Sequence, residues 1–291
     1  MQAAARRINA ILEKMLRLLR LSALLPVTIL GVHAQWLNHP SPGTPRTKDG
    51  KPDLFAKTPR LAGKPDLSGV WQVEPPPKSE IERMLGADVI GSLVPGDDIT
   101  KFSKYFFNVL ADAKPEESPL RPEAARILRE RQENRHTPDE RCLPMGVPRA
   151  DLIGFPFKIV QTPALIVVLY EDDYTRRQIY TDGRKLPVDP SPAWLGYSVG
   201  RWENDTLVVD SAGFSDQVWI DAAGHPASES LHIQERFHRR DFGHMDLEVT
   251  ITDPKMYTRP IAFKVTELLM PDSDILENLC TENEKDRAHM K

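Results

Sequence analysis

The chain has 291 residues, 40% hydrophobic and 27% charged, a composition that fits a globular protein with a full core and excludes a disordered or fibrous one. Its formal net charge is −4, without a long basic stripe, which argues against nucleic acid as a partner because phosphate contacts need clustered Lys and Arg. The 26 prolines, about 9% of the chain against a usual share of roughly 5%, point to many loops and at least one extended segment.

Residues 1–34 read as a secretory signal peptide. Arg6, Arg7, Lys14, Arg17 and Arg20 form a basic start, LSALLPVTILGVHA (21–34) is a short apolar stretch, and Val32-His33-Ala34 fits a small-x-small cleavage site. An uncleaved anchor helix is the alternative, and Met15 would give a more usual start. No later segment is apolar enough to span a membrane. Without this segment 33 basic and 41 acidic residues remain, a net −8. Residues 35–64 form a Pro-rich extended arm, with the tag GKPDL at 50–54 and 63–67.

Residues 65–286 read as one β-domain with a helical insertion at about 78–136, followed by a tail, 287–291. LSGVWQV (67–73) is the first strand, ending at Pro75-Pro76-Pro77. SEIERMLGADVIGSL (79–93) predicts a helix with Ser79 as N-cap and Glu82 completing a capping box. DITKFSKYFFNVLADA (98–113) predicts a second, with Phe102, Tyr105, Phe106, Val109 and Leu110 on one stripe. RPEAARILRERQENR (121–135) predicts a third, with Pro122 in its first turn.

From about residue 155 the hydrophobic period becomes 2. FKIVQT and ALIVVLYE flank Pro163; RRQIYTDG ends in an Asp-Gly turn signal; LGYSVGRWENDTLVVDSAG breaks at Glu203-Asn204-Asp205. HIQERFHRR and HMDLEVTI are joined by Asp241-Phe242-Gly243, and IAFKVTELL and DILENLC complete the series. Short strands without helices between them predict an antiparallel barrel or curled sandwich. The two cysteines, Cys142 and Cys280, suit one disulfide in an exported chain, closing a loop of about 138 residues, a constraint of roughly 5 kcal/mol by chain entropy; two buried thiols are the alternative.

Gly69-Val70-Trp71 on the first strand, followed by a meander, resembles lipocalin-type and other calycin barrels, in which the Trp plugs one end. PDLSGVW (65–71), RCLPMGVPR (141–149), GRWENDTLVVDSAGF (200–214) and ERFHRRDFGH (235–244) together resemble a family of secreted soil-bacterial proteins that carries no established activity. The resemblance implies a calycin/lipocalin-like barrel and export. The inserted helical block of about 60 residues departs from typical lipocalins and leaves open where a ligand mouth would lie.

As a strand, LHIQERFHRR (231–240) puts Leu231, Ile233, Glu235, Phe237 and Arg239 on one face and His232, Gln234, Arg236 and His238 on the other. A carboxylate on an apolar face needs a partner. Arg177, in phase with Ile179, is the candidate partner; a structural Glu–Arg pair is the alternative to a site, and a bulge near 235 would turn Glu235 outward. The long loop 211–229 carries Trp219 and His225, placed to close over a barrel mouth or else to lie in a solvated turn. No HxH, HExxH or CxxC spacing suggests a metal, and His136, Asp139, Glu140 and Cys142 form at most a loop cluster. No cofactor is indicated.

The expectation is therefore a secreted or periplasmic β-barrel binding a small, mostly apolar ligand, with Arg177, Arg239, Trp219, Phe237 and Tyr197 around it. A barrel enzyme of lyase or isomerase type would use Glu235 and His225 for acid/base chemistry. An envelope interaction module, with arm and helices as the interface, is a further alternative. Oligomeric state is not legible in the sequence.

Overall fold

The computed structural model describes residues 39–86, 99–134, 136–172, 175–278 and 280. The expected signal peptide (1–34) and tail (287–291) lie outside them. Within the arm, β1 (Arg60–Leu61) and β2 (Lys64–Pro65) form a small hairpin. Nine further strands make a closed barrel: β3 (Gly69–Val73), β4 (Phe157–Gln161), β5 (Leu165–Tyr170), β6 (Arg176–Tyr180), β7 (Tyr197–Glu203), β8 (Thr206–Ala212), β9 (His232–Arg239), β10 (His244–Thr252) and β11 (Ile261–Leu269). Their order round the barrel is β10-β11-β3-β4-β5-β6-β7-β8-β9, closed by β9 on β10.

The barrel is mixed, not antiparallel as the strand spacing predicts. β6 and β7 run parallel through two register pairs, Ile179↔Ser198 and Tyr180↔Val199. The reason is the connection 181–196. The Asp182-Gly183 turn does not return the chain beside β6; the proline-bearing stretch that follows is long enough to carry it back along the barrel before β7 begins. The described residues of DILENLC also form no strand: β11 ends at Leu269, Asp272 takes positive φ after Pro271, and Leu276 N–H donates to the Glu171 carboxylate instead of to a neighbouring strand.

Period-2 alternation sets the barrel interior. β9 buries Ile233, Glu235, Phe237 and Arg239, while Gln234, Arg236 and His238 face outward. Its register is unbroken from His232 to Arg239, so no bulge turns Glu235 out. Met245, Leu247, Val249 and Ile251 oppose it from β10, all at most 1% exposed. Side chains of this kind contribute about 1.5–3 kcal/mol each on full burial, which is what offsets the cost of the polar groups beside them.

The inserted block is more broken than its apolar stripe predicts. A helix spans Lys78–Leu85, starting after Pro77, so Ser79 lies inside its first turn and does not cap it. Gly86, at φ +88°, ends it, and residues 87–98 lie outside those described. In place of one helix over 98–113 the described residues form a short 3-10 turn, Ile99–Lys101, and one α-helical turn, Lys104–Phe107. The Ser103 hydroxyl accepts from Tyr105 N–H and starts the turn afresh, and the Phe106 and Phe107 carbonyls accept from Ala222 and Ala223 N–H rather than continuing a helix. The third helix, Pro122–Asn134, forms as expected. A further turn, Arg149–Leu152, lies just before β4 with all four residues buried.

Cys142 and Cys280 form a disulfide, Cα atoms 5.6 Å apart, joining chain positions 138 residues distant. The arm runs along the barrel. Gly243 N–H donates to the Leu54 carbonyl and Phe242 N–H to that of Ala56, while Arg46 forks onto Asp272 at 2.7 and 2.9 Å. Among the described residues no helix is long and apolar enough to cross a membrane.

Candidate functional site

Inside the barrel a polar cluster is built from six strands and the Arg149–Leu152 turn. Arg177, from β6, points inward because it alternates with Ile179. Its Nη1 donates to Glu235 Oε1 at 2.9 Å and its Nη2 to Glu235 Oε2, a bidentate pair in which neither side chain is more than 2% exposed. Two more guanidinium protons go to two serines that oppose each other across β7 and β8. Nε donates to Ser198 Oγ at 3.0 Å and Nη2 to Ser211 Oγ at 2.9 Å. Burial works against the Arg177 charge, but the Glu235 carboxylate outweighs it and holds the guanidinium above its usual value.

Asp151 completes the cluster from the Arg149–Leu152 turn. Tyr170, at the end of β5, donates its hydroxyl proton to Asp151 Oδ1 at 2.7 Å. Asp151 Oδ2 lies 3.8 Å from Arg177 Nη1 and has no hydrogen-bond partner within the described residues. Burial, and then the neighbouring Glu235 carboxylate, push the Asp151 carboxyl up to about 7. Burial and Asp151 push the Tyr170 phenol well above its usual value.

Glu267 adds a third carboxyl. It sits on β11 opposite Met245 and Val73, is 0% exposed, and neither of its oxygens has a hydrogen-bond partner within the described residues. Burial, with a smaller push from Asp151, raises it well above the usual carboxylate range. The Arg177 guanidinium thus serves two of the three buried carboxyls, bonding Glu235 and lying 3.8 Å from Asp151. Glu235 is paired, Asp151 is half-satisfied, and burial biases Glu267 toward its protonated form, which can donate as well as accept.

The other residues expected to form a site fall elsewhere. Arg239 packs its guanidinium 4.8 Å from the Trp71 ring and donates to the carbonyls of Asp66, Asp241 and Phe242. That ties the arm and the β9–β10 turn to the Trp71 end of the barrel. Phe237 is an inner core residue between Leu207 and Leu247. Tyr197 faces outward, 39% exposed.

His225 and Trp219 lie together but away from this cluster, in a loop that is packed rather than solvated. His225 is 3% exposed, and its Nδ1 meets Asp221 Oδ2 at 2.6 Å. The Asp221 carboxylate also accepts from the backbone N–H of Val109, Gly224 and His225. Arg131 lies 5.0 Å from the Trp219 ring and donates to the Gly224 carbonyl. This loop is fastened to the inserted block, which explains why the turned-out histidine of a solvated loop is not found. The loop cluster near Cys142 is likewise consumed by structure: Arg149 Nη1 donates to Asp139 at 3.0 Å, and His136 meets Glu140 at 3.1 Å. Among the described residues no group of three or more His, Cys, Asp or Glu stands together as a metal site.

Asp151, Tyr170, Ser198, Ser211 and Glu267 were not anticipated. Glu267 had a signal: in IAFKVTELL it is in phase with Ile261, Phe263 and Leu269, the argument that singles out Glu235. Ser211 and Tyr170 are also in phase with buried neighbours, whereas Ser198 is in phase only with the half-buried Gly200 and Trp202. Asp151 had none, since one helical turn has no period to read.

Comparison of the chain with protein-family models, curated proteins and solved structures finds no match.

Proposed function

We propose that this is an exported protein that binds a small, mostly apolar ligand inside its barrel, with Glu267, Asp151 and the Arg177–Glu235 pair meeting the ligand's polar atoms. The observation that carries this reading is Glu267. A fully buried carboxyl with neither oxygen hydrogen-bonded costs roughly 1–3 kcal/mol or more, and a cost of that kind is ordinarily retained where the group is used. A buried carboxyl with both oxygens unpartnered among the described residues, beside a half-satisfied carboxyl and an apolar wall, matches a ligand with one or two hydrogen-bonding groups on a hydrocarbon body. The basic start and apolar stretch of residues 1–34, together with the disulfide, support export.

A second reading, acid/base catalysis on such a ligand, is favoured by one feature. Asp151, pushed to about 7 with one oxygen unclaimed, is poised near neutrality, whereas both oxygens of Glu235 are held by Arg177. In that reading Asp151 takes the proton-transfer role expected of Glu235.

The test is native mass spectrometry of the purified protein against Glu267→Gln and Glu267→Leu. A copurified small molecule in the wild type, retained weakly by the Gln variant and lost from the Leu variant, is the expected result. No bound molecule in any of them, with the Leu variant the most stable, would overturn the reading and leave the envelope interaction module in front.

A further inference from the structure

The outer wall of the barrel carries a second feature at the parallel seam. Only Ile179 and Tyr180 of β6 pair with β7, so Arg176 and Gln178 have no β7 partner and the wall opens beside them. A groove of about 740 Å³ lies there, within the range of roughly 300–1,000 Å³ typical of small-molecule sites. Its floor is tight at Gly196, which takes φ +61°; a Cβ at that position would stand 2.8 Å from the Phe214 ring and 2.9 Å from the Ala212 carbonyl.

Among the described residues the lining carries three cations and no carboxylate, in a chain whose net charge is negative. Arg184 is neutralised by Asp182 at 2.7 Å and lies over the Tyr180 ring at 3.6 Å. Arg176 and Lys185 remain, neither in an ion pair among the described residues. Two aromatic rings share the groove with Pro187 and Leu195, and both rings are fixed by their hydroxyls. Tyr180 donates to Gln178 Oε1 at 2.8 Å, and Tyr197 donates to the Ser191 carbonyl at 3.1 Å. A small inorganic anion would use the cations and ignore the rings. A neutral apolar molecule would use the rings and ignore the cations. A flat anion uses both.

We propose that this groove, on the outer side of the barrel wall and meeting the interior cluster at Ser198, is a binding site for a small aromatic anion such as an aryl carboxylate, its ring against Tyr197 and its carboxylate at Arg176 and Lys185. The test is fluorescence titration of the purified protein with 2-naphthoate at low salt, beside the neutral analogue 2-naphthalenemethanol. The expected result is saturable one-to-one binding, at least tenfold weaker for the neutral analogue, for Arg176→Ala/Lys185→Ala and for Tyr197→Ala. These variants alter exposed or half-exposed side chains, and unchanged thermal melts would confirm that they fold. Glu267→Gln should leave naphthoate affinity unchanged, which separates this groove from the interior site. Absence of saturable binding, equal affinity for the neutral analogue, affinity untouched by the double variant, or loss of binding in Glu267→Gln would each overturn the proposal.

Discussion

Arg177 and Glu235 stand 58 residues apart in the chain and meet as a bidentate pair within the barrel, Nη1 to Oε1 at 2.9 Å, both side chains almost wholly out of water. A buried pair of this kind adds little net stability over an apolar replacement, but losing one member strands the other's charge. Arg177→Met and Glu235→Leu should each cost roughly 3–5 kcal/mol, and the double variant distinctly less than the sum. Urea unfolding of the four proteins closes the cycle; additive losses would show that the two groups do not depend on each other.

Glu267 should make stability depend on pH. Its folded value is raised above the usual 4.5, so the folded protein keeps a proton that the unfolded chain releases. Stability then falls as pH climbs above that point, by about 1.4 kcal/mol per unit, until the buried carboxyl itself ionises. Asp151, pushed to about 7, has the same sign between 3.8 and 7. Glu267→Gln should match the wild type near pH 4 and become progressively more stable than it toward pH 7. Parallel stability curves for the two proteins from urea titrations across that range would contradict this.

Asp221 should matter for stability more than an ordinary loop aspartate. Its carboxylate receives three backbone N–H groups and the His225 ring, joining the loop to Val109 in the inserted block. Asp221→Ala leaves those donors buried without an acceptor and should cost roughly 3 kcal/mol or more. Hydrogen exchange should accelerate at the amides of Val109, Gly224 and His225, with β9 and β10 little changed.

The disulfide ties Cys142 to a C-terminal segment that is not itself a strand. Cys142→Ser/Cys280→Ser should lower stability by up to roughly 5 kcal/mol, the chain-entropy figure for a loop this long. The loss should appear as a lower urea midpoint, with protease nicking concentrated after Leu269. An unchanged midpoint would mean that the segment is held by contacts such as the Leu276–Glu171 hydrogen bond instead.

Much of this was readable from the chain. Alternation in HIQERFHRR places Glu235 inside, and alternation in RRQIY places Arg177 on the same side, because a period of 2 fixes which face a residue takes. The cysteine pairing followed from the even count and the expectation of export. Strand direction was not readable, since a period of 2 is the same in either sense and only the length of the 181–196 connection hints at the parallel seam. The apolar stripe over 98–113 predicted a helix that Ser103 and the Ala222–Ala223 backbone interrupt, contacts no local window contains. Asp151 was hidden for a similar reason: its role depends on where one turn is docked, and not on any pattern within it.

The nine-membered ring of strands has a further consequence. Directions that alternate at every step can close a ring only when its membership is even. With nine members one step must keep the same sense, and it falls between β6 and β7. The seam is thus a matter of parity, imposed on the whole ring and beyond repair by any single substitution there. Only gaining or losing a complete strand would restore full alternation, and the opening beside Arg176 and Gln178 is where that global mismatch meets the surface.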